Sequence, residues 1–272
     1  MLKHYKKMRH LLIVCLFAFS YQIKAQELFV MTDPASNIPA GSITVSNMNF
    51  FQHEKNGNLN YHNMPEVMWG VSNKLMLRAS GFISNTGEGW EAEGGSLYAK
   101  YRFFSVDDMH SHFRMAFYAK YSLNNADIHQ DEIETMGHNT GYETGIVATQ
   151  LINKVAISSS ISYERALDNK PNYQFPAAQS NSAMNYTFSI GKLIHPKKYT
   201  SYKQTNINAM LEFLGQRLNG NGKSFLDVVP SIQFIVNSQA RIDLAYKQEL
   251  YTTMYRTAPN GFLLRLQYTF FN

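Results

Sequence analysis

Outside its first 25 residues, this 272-residue sequence has no apolar stretch long enough to form a membrane-spanning helix. Such a helix needs about 20 consecutive, mainly apolar residues. Polar side chains interrupt every later apolar run well short of that length. A membrane location would therefore require a closed β-barrel, because only helices and closed barrels satisfy all backbone polar groups in hydrocarbon.

Cysteine is nearly absent as well. The single cysteine, Cys15, lies in the apolar run LLIVCLFAF, which follows several basic residues and precedes the small residue Ala25. This layout is typical of a secretory signal peptide, so we expect residues 1–25 to be removed by cleavage after Ala25. Lipidation of Cys15 is not expected, since Val14 precedes it in place of a small residue. The mature chain would then contain no disulfide.

The sequence has an excess of basic residues, and the predicted leader accounts for all of it. The whole sequence carries 25 basic and 20 acidic residues. The predicted leader holds no acid and five of the basic residues, which are Lys3, Lys6, Lys7, Arg9 and Lys24. The rest of the chain is balanced at 20 of each, so its charge does not indicate a nucleic-acid partner.

What the sequence does contain is a recurring alternation of apolar and polar residues. The segment SLYAKYRFF, residues 96–104, is an example. On a strand, successive side chains point to opposite faces. One face of this segment would present Leu97, Ala99, Tyr101 and Phe103, and the other Ser96, Tyr98, Lys100 and Arg102. The first face suits lipid and the second suits water, as on a transmembrane barrel strand.

The alternation predicts twelve strands, joined in turn by short turns and by longer polar loops such as 124–140 and 167–180. Outer-membrane barrels show this asymmetry, with short turns toward the periplasm and long loops outside. Most segments are near or above the about 9 to 11 residues of a tilted membrane strand. The predicted strands are residues 41–53, 61–71, 74–85, 95–106, 111–123, 141–152, 154–166, 181–193, 201–215, 224–237, 240–251 and 260–271.

We therefore expect an all-β fold, a 12-stranded antiparallel transmembrane up-and-down β-barrel over residues 41–272. Its location would be the outer membrane of a Gram-negative bacterium. Residues 26–40 are expected to form a periplasmic lead-in or a lumenal segment. A soluble β-sandwich, the alternative, also has many short strands but does not explain the alternating loop lengths.

Two local features of this barrel stay open. Neither face of GYETGIVATQLI, residues 141–152, is cleanly apolar, so the register of that strand is uncertain. Pro65 and Pro230 each remove a ladder donor inside a predicted strand, which predicts a bulge or a strand end at both.

Several segments resemble one outer-membrane β-barrel family. PEVMWGVSNKLMLRASGF reads as a strand, a tight turn and a strand centred on Gly70 and Lys74, and SLYAKYRFF, MLEFLG and DVVPSIQFIVNSQARIDLAYK follow it. These segments resemble the strands of the family named for the phenol meta-degradation pathway. The resemblance covers most of the mature chain and implies a twelve-stranded barrel that transports small molecules, without indicating the solute.

The predicted lumen is narrow and charged. Twelve strands about 4.8 Å apart and tilted about 45° close into a barrel of roughly 13 Å backbone radius. Strands 3 to 5 should form a basic wall with no acid on the same tracks, facing a mixed wall. The expected lumen-lining residues are Arg78, Lys100, Arg102, Arg114, Lys120, Glu164, Glu212, Asp227, Arg241, Asp243, Lys247 and Arg265.

Such a lumen has two interpretations. A transverse field would favour the passage of small polar or anionic solutes. Alternatively, the charges pair with one another and merely fill the barrel.

We do not expect an enzyme, although a lipid-modifying outer-membrane enzyme is a weaker alternative. Ser158, Ser160 and Ser162 share a face, but no histidine lies at their depth to act as a base. The loop sequence DIHQDEIETMGHN gathers acids and histidines without the fixed spacing of a calcium loop, so neither a metal nor another cofactor is expected.

The sequence thus favours a channel or transporter for small polar or hydrophobic solutes. The alternative is a structural or interaction barrel with a closed lumen, whose outer loops bind a partner or lipopolysaccharide. Expected partners are outer-membrane lipid and lipopolysaccharide, the barrel-assembly machinery during biogenesis, and small solutes, but no nucleic acid.

Overall fold

The computed structural model describes residues 29–54, 57, 59–85, 89–108, 111–169, 174–197 and 203–271. The predicted leader and its cleavage site lie outside these residues. None of the described residues forms a helix long and apolar enough to cross a membrane. The strands are β1 (Ile43–His53), β2 (Leu59–Gly70), β3 (Leu75–Ser84), β4 (Glu91–Asp107), β5 (Ser111–Asn124), β6 (Gly141–Ile152), β7 (Val155–Ala166), β8 (Ser182–His195), β9 (Asn206–Leu218), β10 (Ser224–Val236), β11 (Ala240–Thr252) and β12 (Asn260–Phe270).

These strands form one closed antiparallel barrel in which each strand pairs with its sequence neighbours. The first and last strands close it, in a register that runs from Ile43 opposite Phe270 to His53 opposite Asn260. The predicted fold class is therefore confirmed. Both ends of the barrel sequence lie at the end that carries the short turns, which we call the turn end; the opposite end is the loop end.

Alternation sorts the side chains of each strand between the two faces. On β4, Leu97 is 70% exposed whereas Lys100 is 2% exposed. The outer face of the barrel is thus apolar and its inner face mostly polar. Side-chain exposure also shows which residues of β6 face the lumen, which the sequence left uncertain. Val147 is buried on the inner face, and Ile146 is exposed on the outer face.

The expectation of a bulge or strand end at the two prolines is wrong. Pro65 pairs with Asn47 of β1 and Pro230 with Leu211 of β9, inside their strands. The pairing of β2 with β3 is interrupted at Pro65, and the pairing of β10 with β11 is interrupted at Pro230. Each pairing resumes in the same register beyond the proline. A nearby register shift lies between Leu226 and Asp227 instead.

Two segments that are not strands fill the barrel. Residues 29–40 run inside it from the turn end, and the loop 125–140 between β5 and β6 turns into it from the loop end. In that loop, Ile133 and Thr135 are buried, and they bond inward-facing residues of β9 and β7. The expectation that this loop faces outward is therefore wrong for its central part, because its backbone and apolar side chains find partners inside.

The two segments meet near an apolar cluster at mid-height. Phe29 packs there among buried inward side chains such as Met48, Met210 and Leu263, and Met136 of the loop packs against the same cluster. The middle of the lumen is therefore filled by packed apolar side chains.

Candidate functional site

The strongest candidate site lies where residues 29–40 cross the basic side of the lumen. The carboxylate of Asp33 lies 3.0 Å from Nη2 of Arg78. Nζ of Lys100 donates to the carbonyl oxygens of Pro34, at 2.7 Å, and Ser36, at 2.8 Å. Three of the four residues 33–36 thus supply oxygen acceptors to the barrel wall.

Arg114 extends this contact and has a second partner in the wall. Its Nη1 donates to Oγ of Ser36 at 2.8 Å. Its Nε and Nη2 donate to one carboxylate oxygen of Asp107, at 3.0 and 2.8 Å. We call Arg78, Lys100 and Arg114 the basic cluster.

The wall of β3 to β5 is less uniformly basic than predicted. Asp107 lies on β4 itself, Glu66 of β2 is 3.6 Å from Nε of Arg78, and Glu143 of β6 is 2.7 Å from Nζ of Lys120. The prediction missed Glu66 and Glu143 because they belong to neighbouring strands, which the register brings into ion-pair distance, and it missed Asp107 because that residue lies just past the predicted strand end at 106. Arg102 lies near the turn end, where its backbone N–H donates to the carbonyl of Lys74 at 2.8 Å.

On the opposite wall, Glu212 of β9 holds the start of the segment. Its carboxylate accepts the backbone N–H groups of Val30, Met31 and Thr32 at 2.8 to 3.2 Å, and it is fully buried. Three backbone donors on one carboxylate form a strong set, since bonds to a charged acceptor are shorter and stronger than neutral ones.

Two arginines and an aspartate complete the turn-end half of the lumen. Nη2 of Arg241 donates to the carbonyl of Phe29 at 2.6 Å and also lies 2.6 Å from Asp243. Arg265 lies 3.7 Å from the same carboxylate. Among the described residues of this half, five wall cations face four wall carboxylates, and Asp33 of the segment supplies a fifth. The cations are Arg78, Lys100, Arg114, Arg241 and Arg265, and the wall carboxylates are Glu66, Asp107, Glu212 and Asp243.

A cavity of about 40 Å³ lies between the segment and this wall, lined among others by Asp33, Arg78, Lys100 and Arg265. Since a buried water needs roughly 10–15 Å³ of such space, this cavity has room for no more than about three waters. The segment therefore occludes the turn-end half of the lumen.

In the loop-end half, the predicted acid Glu164 binds the loop 125–140. Glu164 accepts from the backbone and the hydroxyl of Thr135, at 2.9 and 2.6 Å, and from Asn185 at 2.7 Å. Lys247 lies on β11, half-buried, in the same half. Of the predicted lining residues, Glu164 contacts the loop 125–140, and five contact residues 29–40, namely Arg78, Lys100, Arg114, Glu212 and Arg241.

Arg256, which sequence reasoning missed, connects the loop to the wall. It lies between β11 and β12 and is fully buried. Its guanidinium is 2.7 Å from Glu132 of the loop and from Asp227 of β10, and 3.2 Å from Glu249 of β11. Phe225 stacks 3.7 Å beneath it. Its position in a connecting loop gave no periodic signal that it would point inward.

The same loop carries titratable groups in unusual states. Burial and the neighbouring charge of Glu132 raise the pKa of Glu134 to about 7. Burial and the nearby His129 lower the pKa of His138 to about 4. His138 lies 3.5 Å from Glu134 and its ring packs edge-on against His62. At neutral pH the imidazole is therefore uncharged, and Glu134 is divided between its two protonation states.

Within the described ranges, no three His, Cys, Asp or Glu side chains are arranged to hold a metal ion. The serines of β7 have hydrogen-bond partners in the sheet: Ser158 bonds Thr149 at 2.9 Å, and Ser162 donates to Glu143 at 2.6 Å.

The comparisons with known proteins bear on the architecture. No family model matches the sequence, and no curated protein matches it either. Among solved structures, an outer membrane channel from Pseudomonas putida F1 is similar, with a TM-score of 0.56 at 12% identity over 89% of this chain and 99% of that one.

Two porins give lower scores. The KdgM porin has a TM-score of 0.47 at 10% identity, over 84% of this chain and 99% of its own, and the NanC porin has 0.49 at 10% identity, over 85% and 99%. The likeness to the Pseudomonas channel establishes a shared barrel fold and does not extend to the phenol meta-degradation family in particular.

Proposed function

We propose that this chain is an outer-membrane channel for small polar or anionic solutes, closed by two of its own segments. After loss of residues 1–25 it would be inserted by the barrel-assembly machinery, with lipid and lipopolysaccharide against its apolar outer face. We further propose that it belongs to the phenol meta-degradation family, on the basis of the segments around Gly70 and Lys74 and of the later strands that resemble it. The predicted lumen-lining residues would line the open pore.

One observation carries this proposal: the material that fills the lumen is not part of the wall. Residues 29–40 and 125–140 form no strand of the barrel, so both can leave without breaking any strand pairing. Their hold consists of hydrogen bonds, ion pairs and the contacts of the apolar cluster. Withdrawal of residues 29–40 would expose five cations and four carboxylates in the turn-end half, a small excess of positive charge that suits anionic solutes.

Gly70 offers a way to loosen the first segment by one substitution. The backbone of Pro39 passes so close that a Cβ at Gly70 would lie 2.1 Å from the Pro39 carbonyl oxygen. Gly70→Ala must therefore displace residues 29–40 at their end near Pro39. At Gly81 the nearest atom would be a Pro65 side-chain carbon at 3.5 Å, an ordinary contact, so Gly81→Ala is the matched control.

Planar-bilayer recording of the purified protein tests the channel. We expect rare openings for the wild type and Gly81→Ala, frequent openings for Gly70→Ala, and stable stepwise conductance for a variant that lacks residues 29–38 and carries Arg256→Met. In that opened variant, Arg102→Ser with Arg114→Ser should lower the preference for chloride over potassium. An absence of conductance from every folded variant would reject the proposal.

The second candidate is a structural or interaction barrel. It is favoured by the packed apolar cluster around Phe29, Met48 and Met210, because buried contacts of this kind stabilise a permanently filled lumen. It predicts that the opened variant stays silent in bilayers while the folded wild type retains lipopolysaccharide through purification.

A further inference from the structure

The basic cluster and the segment across it have the chemistry of a binding site filled by an internal substitute for its ligand. The segment presents one carboxylate, from Asp33, followed by two carbonyl oxygens and a hydroxyl. All of these groups accept hydrogen bonds in the contacts described, and the wall groups that meet them are cations.

We propose that the basic cluster is a recognition site for small acids, and that Asp33 competes with the carboxylate of such an acid for Arg78. This inference rests on the proposed channel and names its solute class. Guanidinium groups suit carboxylates because their planar donors match the geometry of the two oxygens.

The spacing of the contacts limits the size of the ligand. Arg78 contacts Asp33, and Arg114 contacts Ser36, three residues further along. Because an extended chain advances about 3.3 to 3.6 Å per residue, the backbone from Asp33 to Ser36 spans at most about 11 Å, and the acceptors that meet the three cations lie along it. A dicarboxylate of four or five carbons, or a similar acid with further oxygen atoms, fits within this length.

Carboxylates of the wall hold the two guanidinium groups of the site in position. Glu66 approaches Arg78 at 3.6 Å, and Asp107 holds two nitrogens of Arg114, so both guanidiniums are oriented. An incoming carboxylate would therefore meet guanidinium groups whose positions are already fixed by the wall.

Succinate is a suitable probe, and succinamide is its uncharged analogue of the same shape. Isothermal titration calorimetry on the full-length protein in detergent would compare four chains: wild type, Asp33→Asn, Asp33→Asn with Arg78→Met, and Asp33→Asn with Lys192→Met. Lys192 lies exposed on β8, so its loss removes the same charge away from the site. Heat-modifiable migration on a gel verifies that each chain is folded.

We expect Asp33→Asn to bind succinate at least fivefold more tightly than the wild type, because the internal competitor has lost its charge. Adding Arg78→Met should weaken binding tenfold or more, Lys192→Met should leave it unchanged, and succinamide should not bind. Equal succinate binding with and without Arg78, equal binding of succinamide, or no binding by Asp33→Asn would each overturn the site.

The two experiments distinguish a failure of the proposed acid site from a failure of the proposed channel. If succinate binds as expected but the opened variant never conducts, the acid site stands and the channel is rejected. If the opened variant conducts but Asp33→Asn shows no Arg78-dependent binding, the channel stands and the acid site is rejected.

Discussion

The buried guanidinium of Arg256 affects both the ionisation of the loop 125–140 and its attachment to the barrel wall. Burial alone would raise the pKa of Glu132, but the adjacent guanidinium of Arg256 lowers it, and the net direction is downward. The arginine therefore keeps at least one loop carboxylate ionised inside the barrel. Its three acidic partners come from the loop 125–140 and from two different strands, so it fixes the loop to the wall.

Replacing Arg256 by methionine should destabilise the protein strongly. Removing one member of a buried ion pair costs about 3–5 kcal/mol, because the other charge stays buried without a partner. Urea unfolding in lipid vesicles, followed by tryptophan fluorescence, would measure this. Arg217→Met, at an exposed position on β9, is the control and should change stability little; equal effects of the two substitutions would contradict the role of Arg256.

At the scale of the element, β6 shows where alternation alone is ambiguous. Its inward residues include Gly141, Gly145 and Thr149, which are small, and its outward residues include Thr144 and Gln150. Neither set is strongly apolar, so a pattern argument could not select a face. Pairing with β5 and β7 over the full strand decides the register, since a slip by one residue would turn Glu143 toward lipid.

The resulting register makes a prediction about lipid exposure. Ile146 lies midway along β6 and faces outward, so Ile146→Arg should destabilise the barrel by about 2–4 kcal/mol in vesicles. Leu59→Arg, outward-facing at the loop end of β2, should cost only about 0–1 kcal/mol because charges near the interface reach water. Urea unfolding of both variants in the same lipid checks this, and equal costs would place Ile146 away from the hydrocarbon.

At the scale of the whole molecule, closure of the barrel depends on one seam. Thr44 of β1 and Thr269 of β12 are paired across it, and their hydroxyl oxygens are 2.9 Å apart. These two residues are 225 positions apart in the sequence. Closure removes the exposed strand edges that would otherwise pair with other chains or face lipid unsatisfied.

A chain with Thr44→Cys and Thr269→Cys should form an intramolecular disulfide across this seam under mild oxidation. The only native cysteine, Cys15, belongs to the predicted leader, so no competing thiol is expected in the mature protein. Non-reducing gels of heated samples would show altered migration that a reductant reverses. Thr44→Cys with Thr149→Cys, which lie on strands that are not adjacent, is the control; cross-linking there and not at the seam would contradict the closure.

The sequence by itself determined the barrel. Strand number, strand bounds to within a few residues and the sorting of faces follow from alternation and turn spacing, because these are local properties with a period of two residues. It also placed the charged residues on the inner face, as Arg78, Lys100 and Glu212 illustrate.

Only the tertiary structure decided what those charges contact. Asp33 meets Arg78, and Glu132 meets Arg256, across long stretches of chain, in segments that lack any periodic pattern. Their positions depend on which buried polar groups of the closed wall lack partners, and that is defined only after all twelve strands have come together. The filling of the lumen is therefore a property of the assembled barrel, whereas the strands of the barrel follow from local sequence patterns.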